Sequence, residues 1–318
     1  MTLGFKRALV TGGAGFIGSH LTAALVNARC RVTVLDNLSS GRIDNLSGLE
    51  GKIDIHRGDI RNPGDVKMAV DNCDVVFHLA ALVSVPESVE YPLESAAIND
   101  LGTLNVMAAA RDCGVRSVVF ASSSAIYGDD PQLPKHERLL PCPLSPYAVH
   151  KLTGEYYARL YTDLYDVPAS SLRFFNVYGP RQDPSSPYSG VISVFMSKAV
   201  AGEEPTIYGD GDQSRDFVYV ADVVRAIVSA ATTPAAAGRA INIGTGRAVT
   251  VNTLWQLVRD LAGVDLASRT AGPRPGDIRH SVADIRLAES LIDFSPRFEL
   301  QSGLKKTFEW YRQAHQTR

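Results

Sequence analysis

The chain has 318 residues and a formal net charge of −2, with 45% hydrophobic and 21% charged residues, the balance of an ordinary globular protein. This charge excludes a global attraction to nucleic acid or to an anionic membrane, and we expect neither a signal peptide nor a membrane span. The four cysteines, Cys30, Cys73, Cys113 and Cys142, lie far apart without CxxC pairing, so we expect reduced thiols in a cytoplasmic protein, without disulfides or structural zinc.

The first half of the sequence alternates short apolar runs with helical patterns. The strand-like runs are RALVT, RVTVLD, KIDIHR, DVVFHLA, SVVFAS and SSLRFF. Between them lie helical stretches such as SHLTAALVNARC, NPGDVKMAVDNC, LGTLNVMAAARDCG and PYAVHKLTGEYYARLYTDLYD. Alternating strands and helices predict a doubly wound parallel sheet, and the apolar strands suit burial on both faces. We therefore predict a Rossmann-type α/β domain over residues 1–176.

The regular alternation of strand and helix patterns ends after Asn176. The segment YGPRQDPSSPYSG is rich in Pro, Gly and Ser and is typical of a loop. Strand and helix patterns then mix without strict alternation as far as LKKTFEWYRQAH. We predict a second, smaller mixed α/β lobe over residues 177–318 that binds substrate. A strand near residues 240–245 is a candidate to rejoin the first domain.

A glycine-rich turn joins the first strand to the first helix. Gly12, Gly15 and Gly18 in TGGAGFIG would let the backbone approach a pyrophosphate at a helix N-terminus, although such a turn could also serve packing alone. Asp36 ends the next strand, where a carboxylate accepts hydrogen bonds from ribose hydroxyls and repels a 2′-phosphate, which favours NAD over NADP. Asp59, in GDI, could reach the adenine amino group or cap a helix.

Two further groups of residues suggest chemistry. Ser122, Ser123 and Ser124 follow the strand SVVF, at the sheet edge where ligands bind in such folds. Tyr147 and Lys151 are four positions apart, which places a phenol and an ammonium on one helix face. Taken alone, the serines could form a plain loop and the Tyr/Lys pair a surface contact.

Five ordered motifs give the sequence a family resemblance. They are TGGAGFIG, LAA at 79–81, SSSAIYG, the YxxxK of Tyr147 and Lys151, and RFFNVYGPRQ. Together they resemble the extended short-chain dehydrogenase/reductase superfamily over almost the whole chain, and within it the nucleotide-sugar 4-epimerases of the UDP-glucose and UDP-N-acetylglucosamine type. The resemblance implies an NAD-dependent enzyme that inverts C4 of a UDP-hexose through a transient 4-keto intermediate. It also implies a homodimer through the helices LGTLNVMAAARDCG and PYAVHKLTGEYYARLYTDLYD, which could equally pack internally.

The resemblance implies catalytic roles for four residues. Tyr147 would take the proton from the sugar 4-hydroxyl, but a free phenol has a pKa of about 10. The ammonium of Lys151 and the positive nicotinamide ring would favour the phenolate, and Lys151 would also hold the nicotinamide ribose. Ser123, four residues before Tyr127, would hydrogen-bond the same oxygen, and Ser124 would assist against the substrate.

The same resemblance implies the binding residues. Those assigned to the cofactor are Gly12, Gly15, Phe16, Ile17, Gly18, Asp36, Asn37, Asp59, Ile60, Leu79, Ala80, Ala81, Asn99, Tyr147 and Lys151. Asn99, in INDLGT, could instead cap a helix or contact substrate. Those assigned to the substrate are Ser84, Ser123, Tyr147, Asn176, Tyr208, Arg215, Arg274, Asp277 and Ser281.

Within the substrate set, arginines suit a diphosphate because of their rigid donor fork. Arg215 and Arg274 would bind the diphosphate, Asp277 the ribose, and Tyr208 would lie near the uracil, although Arg215 with Asp216 could be a surface ion pair and RPGD a plain turn. Ser281 stands where strict UDP-glucose epimerases carry a bulky tyrosine, so it favours UDP-N-acetylglucosamine/N-acetylgalactosamine, with UDP-glucose/galactose also open. Ser84 departs from the lysine common in galactose epimerases.

Related reactions provide the alternatives. Dehydratases of the superfamily carry an Asp-Glu pair where this chain has Ser124 and Ala125, which cannot do acid/base work. A UDP-glucuronate 4-epimerase or decarboxylase is the alternative, although LVSVPESV looks more like neutral-sugar epimerases. A sensor that binds dinucleotide without turnover is a third reading. We expect His78 to serve packing or backbone bonding, His136 and His150 to be solvated, and no metal to be bound.

Overall fold

The computed structural model describes residues 3–183, 190–272 and 278–316. Its strands are β1 (Arg7–Thr11), β2 (Arg31–Asp36), β3 (Ile53–Arg57), β4 (Val75–His78), β5 (Ser117–Ser123), β6 (Ala169–Phe174), β7 (Asn176–Tyr178), β8 (Thr206–Tyr208), β9 (Ser214–Tyr219), β10 (Ala240–Ile243), β11 (Ala248–Thr250) and β12 (Arg269–Ala271). Its α-helices are α1 (Phe16–Asn27), α2 (Pro63–Val70), α3 (Val85–Glu90), α4 (Pro92–Ala96), α5 (Gly102–Asp112), α6 (Pro146–Tyr165), α7 (Val191–Ala201), α8 (Val220–Thr232), α9 (Val251–Ala262), α10 (Arg286–Ile292) and α11 (Leu300–Gln316).

A seven-stranded sheet organises the molecule. Its strand order is β10-β6-β5-β4-β1-β2-β3, and every neighbouring pair is parallel. The order reverses between β1 and β4, which is the switch point of a doubly wound sheet and the place where such folds bind ligands. The predicted α/β class with a doubly wound Rossmann-type sheet is confirmed.

Apolar residues on both faces of the sheet explain why it is covered by helices. Side chains alternate across a strand, so Ala8 and Val10 of β1 lie in one core cluster and Leu9 lies in the other. The first cluster includes buried residues of α1, α8 and α10, and the second includes buried residues of α2, α5 and α6. All six residues of β6 are buried, as expected for a strand covered on both sides.

A smaller lobe follows β6. A three-stranded sheet has the order β11-β9-β7, and β12 pairs with β8 in a two-stranded sheet. Helices α7, α9 and α11 pack together around a cluster that includes Phe195 and Trp255, whose rings meet edge to face at 5.1 Å. The chain also returns to the first sheet, because β10 pairs in parallel with β6. The division at residues 176 and 177 stays a prediction.

Two further properties concern the whole of the described chain. Among residues 3–183, 190–272 and 278–316, no helix combines the length and the apolar character needed to cross a bilayer. All four cysteines are free thiols, with Cys30 and Cys73 buried and Cys142 exposed. Burial raises the pKa of the Cys30 thiol to about 12, so that thiol is protonated and unreactive.

Candidate active site

The glycine turn between β1 and α1 is tightly packed. Gly12 has a φ of +68°, and a Cβ there would stand 2.8 Å from the backbone nitrogen of Ala80. A Cβ on Gly18 would stand 2.0 Å from the carbonyl oxygen of Gly12. Helix α1 begins at Phe16 with Gly15 as N-cap and without a side-chain cap. The N–H groups of its first turn are therefore available to an anion.

Asp36 is fixed beside this turn. Its Oδ2 accepts a hydrogen bond from the Ala14 N–H at 2.9 Å, and its Oδ1 accepts one from the Leu38 N–H at 2.9 Å. Each oxygen keeps a second lone pair, so the carboxylate can still accept from vicinal hydroxyls. Gly41 lies against it, since a Cβ there would stand 2.7 Å from Asp36 Oδ1. The residues present thus fit the diphosphate and the ribose of a dinucleotide.

Asp59 is already engaged within the protein. Its Oδ1 accepts from the Arg61 N–H at 2.9 Å and Nε at 3.0 Å, and its Oδ2 accepts from Arg61 Nη2 at 2.8 Å and Asn37 Nδ2 at 2.9 Å. These hydrogen bonds lower the pKa of Asp59 to about 2. The helix-cap alternative is wrong, because Asn62 caps α2. The adenine contact stays a prediction, and it would require a change in these bonds.

Thr11 and His78 hold the 79–81 segment against the glycine turn. The Thr11 hydroxyl accepts from the N–H groups of Leu79 at 3.2 Å and Ala80 at 3.1 Å. His78 bonds Thr11 through Nδ1 at 2.8 Å and Thr103 through Nε2 at 3.0 Å. Burial lowers the pKa of His78 to about 3, so the ring is neutral. Its partners are threonine hydroxyls, which no sequence motif indicated.

Asn99 orders the chain that follows Ala81. Its Oδ1 accepts from the Leu82 N–H and its Nδ2 donates to the Leu82 carbonyl, both at 2.9 Å. The residue lies in a π-helical turn, Ala97–Leu101, between α4 and α5. The helix-cap alternative is therefore wrong, and the contact of Asn99 with a ligand stays a prediction. Ile60, another predicted cofactor residue, is buried.

The catalytic residues predicted from YxxxK and SSS meet where β5 ends. Ser123 is the last residue of β5, and its Oγ accepts from the Ala125 N–H at 3.1 Å. The Tyr147 hydroxyl, from the first turn of α6, lies beside Ser123. Lys151 Nζ donates to the Ala121 carbonyl at 2.8 Å and lies 5.7 Å from the centroid of the Tyr147 ring.

The electrostatics differ from the expected effect of Lys151 on Tyr147. Burial raises the pKa of the Tyr147 phenol, and the hydrogen bond with Ser123 only opposes that rise. Lys151 Nζ donates its hydrogen bond to the Ala121 carbonyl rather than to the phenol. Burial also lowers the pKa of Lys151 to about 8. The protein alone therefore keeps Tyr147 protonated at neutral pH.

Two serines near Tyr147 have structural roles. Ser84 Oγ caps α3 by accepting from the Glu87 N–H at 3.1 Å. Ser88 Oγ accepts from the Tyr147 N–H at 3.1 Å and donates to the Val85 carbonyl at 2.6 Å. Ser88 thus joins α3 to the first turn of α6, a role that sequence reasoning missed. The predicted substrate contacts of Ser84 and of the partly buried Ser124 stay predictions.

The predicted nucleotide residues are spread over the second lobe. Arg215 on β9 donates through Nη1 to the Ser214 carbonyl at 2.9 Å. Ser281 is buried, and its N–H donates to the same carbonyl at 3.1 Å, so Arg215 and Ser281 are neighbours. Asn176 begins β7 beside β9, and Tyr208 ends β8. Arg274 and Asp277 lie outside the described residues.

Two alternatives drawn from the sequence are corrected. Asp216 is fully buried and accepts hydrogen bonds from Thr245, Gly246 and Ala283, so it is not half of a surface ion pair with Arg215. His150 is buried and bonds Asp100 through Nδ1 at 2.7 Å, so the prediction that it is solvated is wrong.

The described residues include no group of three or more His, Cys, Asp and Glu side chains arranged to hold a metal ion. His136, also predicted to be solvated, is partly buried and lies 3.0 Å from Gln132 Nε2.

Comparison with known proteins places this geometry in a family. Residues 8–244 match the model of the NAD dependent epimerase/dehydratase family. The chain is 40% identical over 314 residues to a UDP-glucose 4-epimerase of Mycolicibacterium smegmatis, which covers 98% of this chain and 100% of that protein. It is also 34% identical over 319 residues to a UDP-N-acetyl-alpha-D-glucosaminuronate decarboxylase of Bacillus cytotoxicus, covering 97% and 98% of the two proteins.

Solved structures of nucleotide-sugar epimerases are also similar to this chain. A UDP-N-acetylglucosamine 4-epimerase from Methanobrevibacter ruminantium, in complex with UDP-N-acetylmuramic acid, has a TM-score of 0.94 and 39% identity, covering 99% of this chain and 100% of that one. A UDP-glucose 4-epimerase from Thermotoga maritima, with UDP-glucose, has a TM-score of 0.93 and 38% identity, covering 97% and 99%. The chain is therefore a member of the NAD-dependent epimerase/dehydratase family, among its nucleotide-sugar epimerases.

Proposed function

We propose that the protein is an NAD-dependent epimerase that inverts C4 of a UDP-hexose through a transient 4-keto intermediate. The observation that carries this proposal is that the Tyr147 phenol lies beside Ser123 at the end of β5, with Lys151 one helical turn behind. An acid/base group and a polar partner for the same oxygen are what oxidation of a secondary alcohol needs.

In this proposal, some residues transfer the proton during oxidation and its reversal, and others bind the dinucleotide. Tyr147 takes the proton of the 4-hydroxyl and later returns it, while Ser123 hydrogen-bonds the same sugar oxygen. The Gly12–Gly18 turn and Asp36 hold the dinucleotide, which when bound supplies a hydride acceptor and a positive charge beside the phenol. The C4–H and O–H bonds break as C=O forms, and hydride return to the opposite face restores the alcohol inverted.

The preferred sugar is part of the proposal. Ser281 is buried and bonded to β9 beside Arg215, which is the predicted diphosphate residue. A small side chain there leaves room for a C2 N-acetyl group, so UDP-N-acetylglucosamine/N-acetylgalactosamine is the first candidate pair. UDP-glucose/galactose is the second, supported by the Mycolicibacterium relative. Processing of UDP-glucuronate is the alternative, supported by the decarboxylase relative.

We also propose that the protein is a homodimer in the cytoplasm. Helices α3, α4 and α6 present exposed apolar side chains on one surface, among them Val89, Leu93, Tyr156, Leu160 and Leu164. Leu93 is 86% exposed and Leu164 is 66% exposed, and a second copy of this chain would bury such side chains. Four free thiols suit a reducing compartment.

The test is incubation of the purified protein, without added cofactor, with UDP-N-acetylglucosamine, UDP-glucose and UDP-glucuronate in separate reactions. We expect the C4 epimers of the first two by nuclear magnetic resonance. Conversion of UDP-glucuronate alone would support the alternative reaction. Bound NAD without conversion of any of the three sugars would contradict the proposed activity.

A further inference from the structure

A buried ion pair joins helix α6 to strands β5 and β6. Glu155 lies one helical turn after Lys151, and both Glu155 and Arg173 of β6 have side chains only 6% exposed. Arg173 donates to both carboxylate oxygens, from Nε to Oε1 at 2.9 Å and from Nη2 to Oε2 at 2.7 Å. Oε1 also accepts from Ser122 Oγ at 2.5 Å. The carboxylate is thus shared by two strands.

The guanidinium of Arg173 also contacts Tyr127, which lies at the end of the segment 122–127. Arg173 Nη1 donates to the Tyr127 hydroxyl at 2.8 Å, and that hydroxyl donates to Asn242 Oδ1 of β10 at 2.7 Å. Tyr127 ends the 3-10 turn that begins at Ser124. Ser122 and Tyr127 therefore fix both ends of a segment whose interior residues include Ser123 and Ser124.

The geometry also sets the position of α6 along β5. Two consecutive residues of β5 bond two consecutive turns of α6, since Ala121 accepts from Lys151 Nζ and Ser122 donates to Glu155. A slide of the helix along the strand would break both bonds. Tyr147 lies one turn before Lys151 on the same helix, so these bonds also determine the separation of its hydroxyl from Ser123.

Folding stability alone is a poor explanation for this pair. Two buried charges lose their hydration, and an ion pair in a protein interior often adds little net stability over apolar side chains of similar volume. Burial opposes the charge of Arg173, but the hydrogen bonds and charge of Glu155 raise its pKa above its ordinary value, so it stays cationic. What the network supplies is a defined orientation of α6 relative to β5 and β6, because each hydrogen bond has a defined donor and acceptor.

We propose that Glu155 is a positioning residue for the transfer step, acting through Ser122 to hold Tyr147 in register with Ser123. The inference rests on the proposed function only in that the step it serves is proton transfer by Tyr147. Glu155 is not assigned contact with substrate or cofactor.

The main test variant is Ser122→Ala in the NAD-loaded protein. It removes the bond between Glu155 and β5 while leaving Glu155 paired with Arg173 and Lys151 bonded to the Ala121 carbonyl, so we expect the fold and the NAD content to be kept. The matched control is Ser170→Ala, because Ser170 is a buried serine on the adjacent strand β6 whose hydroxyl has no hydrogen-bond partner among the described residues. We expect Ser122→Ala to lower kcat about tenfold with KM within about twofold, and Ser170→Ala to change neither.

A second readout does not require turnover. Ultraviolet difference titration against Tyr147→Phe measures the ionisation of Tyr147 in each background. A looser Ser123 bond raises the pKa of Tyr147, so in Ser122→Ala we expect its ionisation, and the acid limb of the kcat profile, to shift to higher pH. Glu155→Gln, which keeps one acceptor oxygen but replaces the other with an NH2 donor and loses the charge, should shift the ionisation in the same direction.

The outcomes are separable. If Ser122→Ala titrates like the wild type and keeps its kcat, or if its loss of activity tracks only a loss of folded protein, the positioning role is wrong. If the wild type converts no UDP-sugar, the proposed function fails, and the titration of Tyr147 alone decides the positioning role.

Discussion

Tyr147 is the residue on which the proposed chemistry depends. Replacing it with Phe removes the hydroxyl beside Ser123 and keeps the ring. We expect kcat to fall by about 10³-fold, within the range of general acid/base catalysis, while NAD content stays unchanged. Tyr156→Phe is the matched control, because Tyr156 is an exposed tyrosine on the same helix. Near-normal activity of Tyr147→Phe in the substrate assay would contradict its role.

Lys151 makes the stability of the cofactor-free protein depend on pH. Its pKa is about 8 in the folded chain, against about 10.4 for an unperturbed lysine, so the unfolded state binds more protons between these values. The free energy of unfolding should therefore rise as the pH increases from about 8 to about 10. Lys151→Met should remove this rise and increase stability at neutral pH by on the order of 2 kcal/mol. Urea unfolding at several pH values measures both, and equal pH slopes in the two proteins would contradict the assignment.

Single residues also show the limits of reading the sequence. The family resemblance of the YxxxK and serine motifs predicted that Tyr147 and Ser123 would share one site, whereas their spacing alone also allowed a surface contact and a plain loop. The spacing could not show that Lys151 is directed at the Ala121 carbonyl, because that depends on how α6 lies against β5. Likewise Asp59 and Asn99 were predicted as ligand contacts, and no motif in the sequence indicated that Arg61 bonds the first and Leu82 bonds the second.

At the level of elements, the β1–α1 turn is the most constrained. In Gly18→Ala the new methyl group would collide with the Gly12 carbonyl, so the helix must move away from the turn. We expect the dissociation constant for NAD to rise at least about tenfold, and stability to fall by about 1–3 kcal/mol through overpacking. Gly4→Ala is the control, because no atom lies within 4 Å of a Cβ at that position. Fluorescence titration with NAD measures the effect, and unchanged affinity would show that the turn tolerates a side chain.

The strand and helix pattern predicted the main sheet well. Apolar runs between helical stretches correspond to β1, β2, β4, β5 and β6, because burial on both faces demands such runs. The sequence pattern did not predict the helical register between residues 92 and 112. There the chain forms α4, a π-helical turn and α5 in succession, and Asn99 within that turn bonds Leu82.

At the level of the whole molecule, the exposed apolar surface of α3, α4 and α6 predicts self-association. Leu160→Glu places a charge on that surface, so we expect it to shift a dimer to a monomer in light scattering. Arg159→Glu is the matched control, because Arg159 is the exposed neighbour of Leu160 on α6 and forms an ion pair with Asp163 rather than part of the apolar surface. A wild-type monomer at micromolar concentration would contradict the proposed dimer.

The position of strand β10 at the edge of the seven-stranded sheet has a consequence for biosynthesis. Because β10 pairs with β6 along a strand whose residues are all buried, a nascent polypeptide released only as far as residue 176 leaves that strand without its outer neighbour. A ribosome must translate beyond Ile243 before the central sheet can close, and an unpaired apolar edge invites aggregation meanwhile. We expect a truncated polypeptide ending at residue 176 to be insoluble or captured by chaperones. A soluble, cooperatively melting fragment would show that the amino-terminal half matures independently.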